Sequence, residues 1–83
     1  MDRKEIFENL KDILKMADDK ASEVVENCSE DSKLATDLGL SSVGMLYMVI
    51  AIEETFSIVF ENVNITDFVT VKDVVDYIEA RTK

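Results

Sequence analysis

The sequence predicts an all-α bundle, and three observations carry that prediction. Apolar residues recur at helical spacing in three separate stretches. No stretch alternates apolar and polar residues with period two over a useful length. Proline is absent, and the only two glycines, Gly39 and Gly44, lie close together, so little interrupts the helical stretches. The 83 residues, 47% of them hydrophobic, suffice for one domain spanning 1–83, near the lower size limit for a single core.

The first helix is expected over residues 3–17, where Ile6, Phe7, Leu10, Ile13, Leu14 and Ala17 form an apolar stripe. Asp2, with Glu5 three residues later, reads as an N-cap pair. Residues 18–40 are polar and turn-rich, a connection longer than usual. Val24, Val25, Cys28, Leu34 and Leu38 are its expected anchors on the core. A second helix is expected from about Ser42 to Phe56, a short element around Asn64–Phe68, and a last helix over Val71–Arg81. Thr70 is the expected N-cap of the last helix, with Asp73 at its third position, and Val71, Val74, Val75 and Ile78 are its buried stripe. The β-branched run Ser57-Ile58-Val59-Phe60 is read as a loop with apolar anchors.

The second helix carries the most information. At 100° per residue, Met45, Met48, Val49, Ile52 and Phe56 share one face, and Val43, Leu46, Tyr47, Ile50 and Glu54 share the opposite one. A small bundle buries one such face but rarely both. Either the loop or the short element covers the second face, or that face is a docking surface.

Charge restricts the partners. The formal net charge is −9, which disfavours nucleic-acid phosphates and anionic membrane surfaces. Proteins with basic docking patches are the expected partners. The first twenty residues are nearly neutral, with six acids and five bases, and the acidity follows them. No window has the apolar length of a membrane span, and the first residues lack the apolar core of a signal peptide. A cytoplasmic monomer is expected.

Catalytic chemistry has little to work with. Histidine is absent, which removes the usual general base and most zinc sites. Cys28 is the only cysteine and reads as a small buried apolar residue. No phosphate-binding glycine loop or calcium-loop spacing is present, and Glu53-Glu54 reads as a solvated helix face. No catalytic residue and no metal ligand is assigned. The segment Asp37-Leu38-Gly39-Leu40-Ser41-Ser42-Val43 instead delivers a serine hydroxyl onto the first turn of a helix whose residues 44–52 are uncharged. An exposed serine at such a place suits covalent attachment, and the helix start suits a phosphate. Either Ser41 or Ser42 can serve as the N-cap while the other faces solvent.

These segments together resemble the acyl carrier proteins. The family's signature, Asp-Leu-Gly-x-Asp-Ser-Leu followed by a helix ending in a Glu-Glu-x-Phe segment, is matched by residues 37–43 and by Ala51-Ile52-Glu53-Glu54-Thr55-Phe56. Ser29-Glu30-Asp31-Ser32-Lys33-Leu34 is similar to the segment leading into the motif, and residues 69–78 are similar to the family's last helix. The resemblance implies a four-helix bundle with a short third helix and a long loop between helices one and two. It implies that Ser42, not Ser41, receives 4′-phosphopantetheine from coenzyme A through a phosphopantetheinyl transferase. The thiol of that arm would then carry acyl groups as thioesters between acyl-transferring and acyl-processing enzymes of fatty-acid or polyketide-like synthesis. Alternatives are an aminoacyl or peptidyl carrier, and an unmodified helical adaptor using the Leu46/Tyr47/Ile50 face.

This chain departs from the family pattern near the serine. Ser41 replaces the usual aspartate, and Gly44 and Tyr47 replace positions that are commonly acidic. The resemblance places Val43, Leu46, Tyr47, Ile50, Glu53 and Glu54 on the partner-facing side, with the apolar members dominant. Gly44 is either a neutral replacement or an opening for the arm or a partner. Phe60 and Ile65 fall where the family shelters acyl chains, with Phe68 nearby. These bulky residues either fill that space and favour short or polar cargo held outside it or are ordinary core.

Overall fold

The computed structural model describes residues 2–17, 22–61 and 67–82. Among the described residues there are four helices: α1 (Arg3–Ala17), α2 (Ser22–Glu26), α3 (Ser42–Phe56) and α4 (Val71–Thr82). No strand occurs among the described residues; Lys33 and Thr70 form an isolated antiparallel bridge. The expected short element around Asn64–Phe68 falls largely on residues 62–66, outside the described residues.

The helix α1 organises the bundle, since α2, α3 and α4 all pack on it. Its stripe of Ile6, Leu10, Ile13 and Leu14 is buried, and Asp2 Oδ1 accepts the Glu5 N–H at 2.8 Å as the N-cap. Against that stripe lie Met45, Met48, Ile52 and Phe56 of α3 and Val71, Val74, Val75 and Ile78 of α4, residues the periodicity assigns to the core, while Val49 at the edge of the same α3 face is only half-buried. The helix α3 stops at Ser57, which takes a left-handed conformation (φ 56°) and returns its N–H to the Glu53 carbonyl.

The connection between α1 and α3 differs from the expectation in one respect. It contains the short helix α2, whose only buried residue is Val25. A five-residue helix has too few turns to leave a periodic trace. Val25, Leu34 and Leu38 anchor the connection in the core as expected. Val24 does not, because α2 turns it to solvent. Cys28 is half-buried against the core, and burial pushes its thiol pKa up, consistent with a packing role.

Backbone hydrogen bonds fix the later part of this connection to the start of α4. The Leu34 N–H donates to the Val69 carbonyl at 2.9 Å, while the Val71 and Lys72 N–H groups donate to the Ser32 and Glu30 carbonyls at 3.0 and 2.8 Å. Loop carbonyls thereby satisfy first-turn donors that a helix cannot satisfy itself. Thr70 and Asp73 complete the cap: Thr70 Oγ1 accepts the Asp73 N–H at 3.3 Å, and Asp73 Oδ2 accepts the Thr70 and Val69 N–H groups at 3.0 Å each. Arg3 ties the same corner together, bonding Glu30 of the loop and reaching Asp76 (2.7 Å) and Glu79 (3.3 Å) of α4.

Ser57 to Phe60 form the loop with apolar anchors that the sequence suggests, with Ile58 buried and Phe60 half-buried. Phe60 stacks on Tyr77 (4.7 Å between centroids, 4° between planes), and Phe68 meets both rings edge-on at 5.6 Å. The Tyr77 hydroxyl donates to the Val59 carbonyl (3.2 Å) and accepts the Glu61 N–H (3.3 Å), while Arg81 lies over the outer face of the Tyr77 ring at 4.8 Å.

Candidate functional site

The two serines at the start of α3 have different places. Ser41 is the N-cap: its backbone is extended (φ −82°, ψ 175°) and its Oγ accepts the Gly44 N–H at 3.2 Å. Its carbonyl also accepts the Met45 N–H at 2.9 Å. Ser42 is the first helical residue and is exposed. The alternatives left open by the sequence thus resolve, with Ser41 holding the helix start and the Ser42 hydroxyl free for chemistry. With the Gly44 and Met45 donors taken, the N–H groups of Ser42 and Val43 are left to solvent or to an anion.

The chain reaches Ser41 through a turn that requires glycine. Gly39 has φ +70° and no atom within 4 Å of where a Cβ would sit, so backbone conformation rather than space selects it. Asp37 Oδ2 accepts the Lys33 N–H at 2.8 Å, and Leu40 donates its N–H to the Leu34 carbonyl at 3.0 Å. Leu40 is buried there and packs over Gly44, whose Cβ would stand 3.2 Å from Leu40 Cδ2. Gly44 is therefore buried against this chain's own Leu40. The missing side chain admits an internal contact, which corrects the reading of Gly44 as an opening for the arm or a partner.

A groove of about 330 Å³ runs beside the serines. Lys33, Ala35 and Thr36 of the loop form one wall, Leu40 to Ser42 and Met45 another, and Phe68 and Val69 close it. Phe68 and Val69 carry no charge, and the bridge between Lys33 and Thr70 holds the walls together. The sequence names Phe68 but gives no sign of the Lys33–Thr36 wall, since backbone pairing, not side-chain pattern, brings it there.

The outer face of α3 is bare. Val43, Leu46, Tyr47 and Ile50 are 78%, 52%, 40% and 49% exposed, and Glu54 is exposed beside them. Neither the loop nor the described part of the α3–α4 connection covers them. Glu53 is placed differently, half-buried, with Oε2 accepting the Phe60 N–H at 3.0 Å. It fixes the loop after α3, which leaves Glu54 as the free acid of this face.

An exposed first-turn hydroxyl, free helix-start donors and an adjacent groove fit a serine-linked phosphodiester with a flexible arm: the donors would suit its phosphate and the groove would receive the arm. Comparison with known proteins agrees. Residues 5–78 match the family described as phosphopantetheine attachment site. The acyl carrier protein of Coprothermobacter proteolyticus is 36% identical over 80 residues, covering 96% of this chain and 94% of that protein. That of Campylobacter hominis is 34% identical over 79 residues (95% and 96%), and that of Thermotoga maritima 30% identical over 79 residues (95% and 94%).

Proposed function

This chain belongs to the acyl carrier proteins of the phosphopantetheine-attachment family, and we propose that Ser42 is its attachment point and the bare face of α3 its docking surface. Like its family, it is a carrier and not an enzyme, and its prosthetic group is covalent 4′-phosphopantetheine. When attached, the group supplies a thiol that holds an acyl chain as a thioester. Its partners are a phosphopantetheinyl transferase and acyl-processing enzymes.

The observation that carries the choice of Ser42 is the division of work at the helix start. Ser41 Oγ is committed to the Gly44 N–H, while the Ser42 hydroxyl is exposed on the first turn and flanks the groove. The transferase must activate that hydroxyl, because this chain has no histidine to do so. Intact-protein mass after incubation with coenzyme A, magnesium and a broad-specificity transferase tests the assignment. The expected result is a single-arm mass gain in wild type and in Ser41→Ala but not in Ser42→Ala. No gain with several transferases would move the weight to an adaptor that binds through α3 unmodified.

Docking rests on apolar contact more than on local charge. With Glu53 engaged by Phe60, Glu54 is the one free acid beside Leu46, Tyr47 and Ile50. The net charge of −9 still steers basic partners from a distance and keeps copies of the chain apart as monomers. This balance supports a specialised pathway of acyl synthesis over general fatty-acid traffic. Leu46→Ala is expected to weaken transfer to a partner enzyme by about tenfold, in the range of an interface anchor. Glu54→Gln should change it by only about twofold, as expected for a rim charge. The opposite order would refute apolar docking.

A further inference from the structure

One wall of the groove beside Ser42 is aromatic. Phe68 is 8% exposed and shared between two environments: one side lines the groove, and the ring also meets Phe60 and Tyr77 edge-on at 5.6 Å. Phe60 and Tyr77 are themselves stacked at 4.7 Å, and Tyr77 is pinned by its hydroxyl to Val59 and Glu61. Neither Phe60 nor Tyr77 lines the groove. Phe68 is therefore the partition between the space next to the serine and the cluster joining the end of α3 to α4. At about 330 Å³ the groove is also near the lower end of ligand pockets, roughly 300–1,000 Å³, and the arm itself needs part of it.

We propose that Phe68, braced by Phe60 and Tyr77, is a length stop for the cargo: the groove seats the end of the arm with a short acyl group, and longer chains extend into solvent. The proposal rests on attachment at Ser42. Substituting Phe68 should join the groove to the volume the ring occupies and admit a longer chain. The wall is held by ring-to-ring contacts on one side and hydrogen bonds on the other, so the native chain has no low-cost way to open it.

The test uses holo-protein loaded with butyryl, octanoyl or dodecanoyl groups, in wild type, Phe68→Leu and Phe68→Ala. Thioester cleavage by neutral hydroxylamine and backbone amide shifts are read for each. A methylene taken out of water is worth about fourfold in an equilibrium, so a pocket that sheltered octanoyl's four extra methylenes would slow its cleavage on the order of a hundredfold over butyryl. Wild type is expected to cleave all three within about twofold of one another, since the extra methylenes stay in water. Its shifts should be confined to the groove walls. Phe68→Ala is expected to slow octanoyl cleavage by on the order of tenfold or more and to bring shifts to Phe60 and Tyr77, with Phe68→Leu intermediate. Wild type that protects octanoyl tenfold or shifts Tyr77 with it overturns the proposal, and so does a folded Phe68→Ala that protects nothing. The wild-type series decides the matter even if Phe68→Ala fails to fold. A chain that accepts no arm fails earlier, at the mass gain, and takes the length stop down with the attachment site.

Discussion

Substituting the two adjacent serines separately should split stability from modification. Ser41→Ala removes the hydroxyl that accepts the Gly44 N–H at 3.2 Å and leaves that donor at a partly buried helix start. Loss of such a cap costs about 1 kcal/mol, within a range of roughly 0.5–2. In a domain of this size 1 kcal/mol corresponds to about 4–8 °C in Tm. Ser42→Ala removes an exposed hydroxyl with no hydrogen-bond role at the helix start, and the change should stay within about 0.5 kcal/mol. Alanine's higher helix propensity even favours it slightly at the first helical position. Ser41→Asp is the control, since aspartate caps as well as serine and adds a favourable charge at the helix start of about 0.3–1 kcal/mol. Thermal unfolding followed by circular dichroism, alongside the mass assay, reads both consequences. The expected pattern is crossed: Ser41→Ala melts lower and is still modified, Ser42→Ala melts with wild type and is not modified. Equal destabilisation by the two alanines, or modification surviving in Ser42→Ala and lost in Ser41→Ala, would refute the assignment of roles.

The remaining predictions concern the corner where the loop meets α4. The N–H of Thr70 foremost, then that of Val69, hold the Asp73 carboxyl below the usual aspartate range. A carboxylate depressed in the folded state adds stability above its unfolded pKa, and that stability is lost as the pH falls through the folded value. Asp73→Asn should therefore be less stable than wild type at pH 7 by about 0.3–1 kcal/mol, the worth of a carboxylate at a helix start, with the gap closing as the pH falls through the lowered Asp73 value; urea unfolding at a series of pH values checks this, and a gap constant with pH would exclude the charge. Arg3 reaches Glu30, Asp76 and Glu79 from a side chain that is about one-third exposed. Arg3→Gln should cost roughly 1 kcal/mol or less at low salt and visibly less at about 1 M salt, where screening acts within about 3 Å. A salt-independent loss would mean that packing of the arginine stem, not charge, holds this corner.

Much of the fold was legible in the sequence because it rests on periodicity and capping. Most of the expected stripes of α1, α3 and α4 lie in the core, with Phe7, Ala17 and Val49 half-buried at their edges, and Asp2, Thr70 and Asp73 cap where their spacing from the first helical turn puts them. What was not legible falls into two kinds. One is a choice between like residues: Ser41 and Ser42 carry the same hydroxyl, and only the extended backbone of Ser41 assigns the cap. The other is contact made by backbone groups or by distant side chains. The groove exists because the loop carbonyls of Ser32 and Glu30 accept from Val71 and Lys72, an interaction indifferent to side-chain type. Likewise Glu53 and Glu54 look equivalent in the sequence, but Glu53 reaches the Phe60 N–H seven residues on. The brief helix α2 left no trace because one buried valine does not make a period.

The distribution of the acids ties these particulars to function. A chain of net charge −9 would be expected to present acids around the proposed attachment point, yet many of them are occupied elsewhere. Glu30, Asp76 and Glu79 gather on Arg3, Glu26 on Lys15, Asp73 on the start of α4, Asp37 on the Lys33 N–H and Glu53 on the Phe60 N–H. Beside Ser42 the surface is instead Val43, Leu46, Tyr47 and Ile50. The two roles of charge are thus separated in space. In the docking proposed above, the overall field would bring a basic partner in from beyond contact range, an effect that weakens with salt. Affinity at contact would then depend on how well the apolar face of α3 is covered, since desolvated apolar anchors and not rim charges dominate interface energy. A partner selected this way would recognise the shape of one helix face, and a carrier with an acid in place of Tyr47 would present it with a different surface.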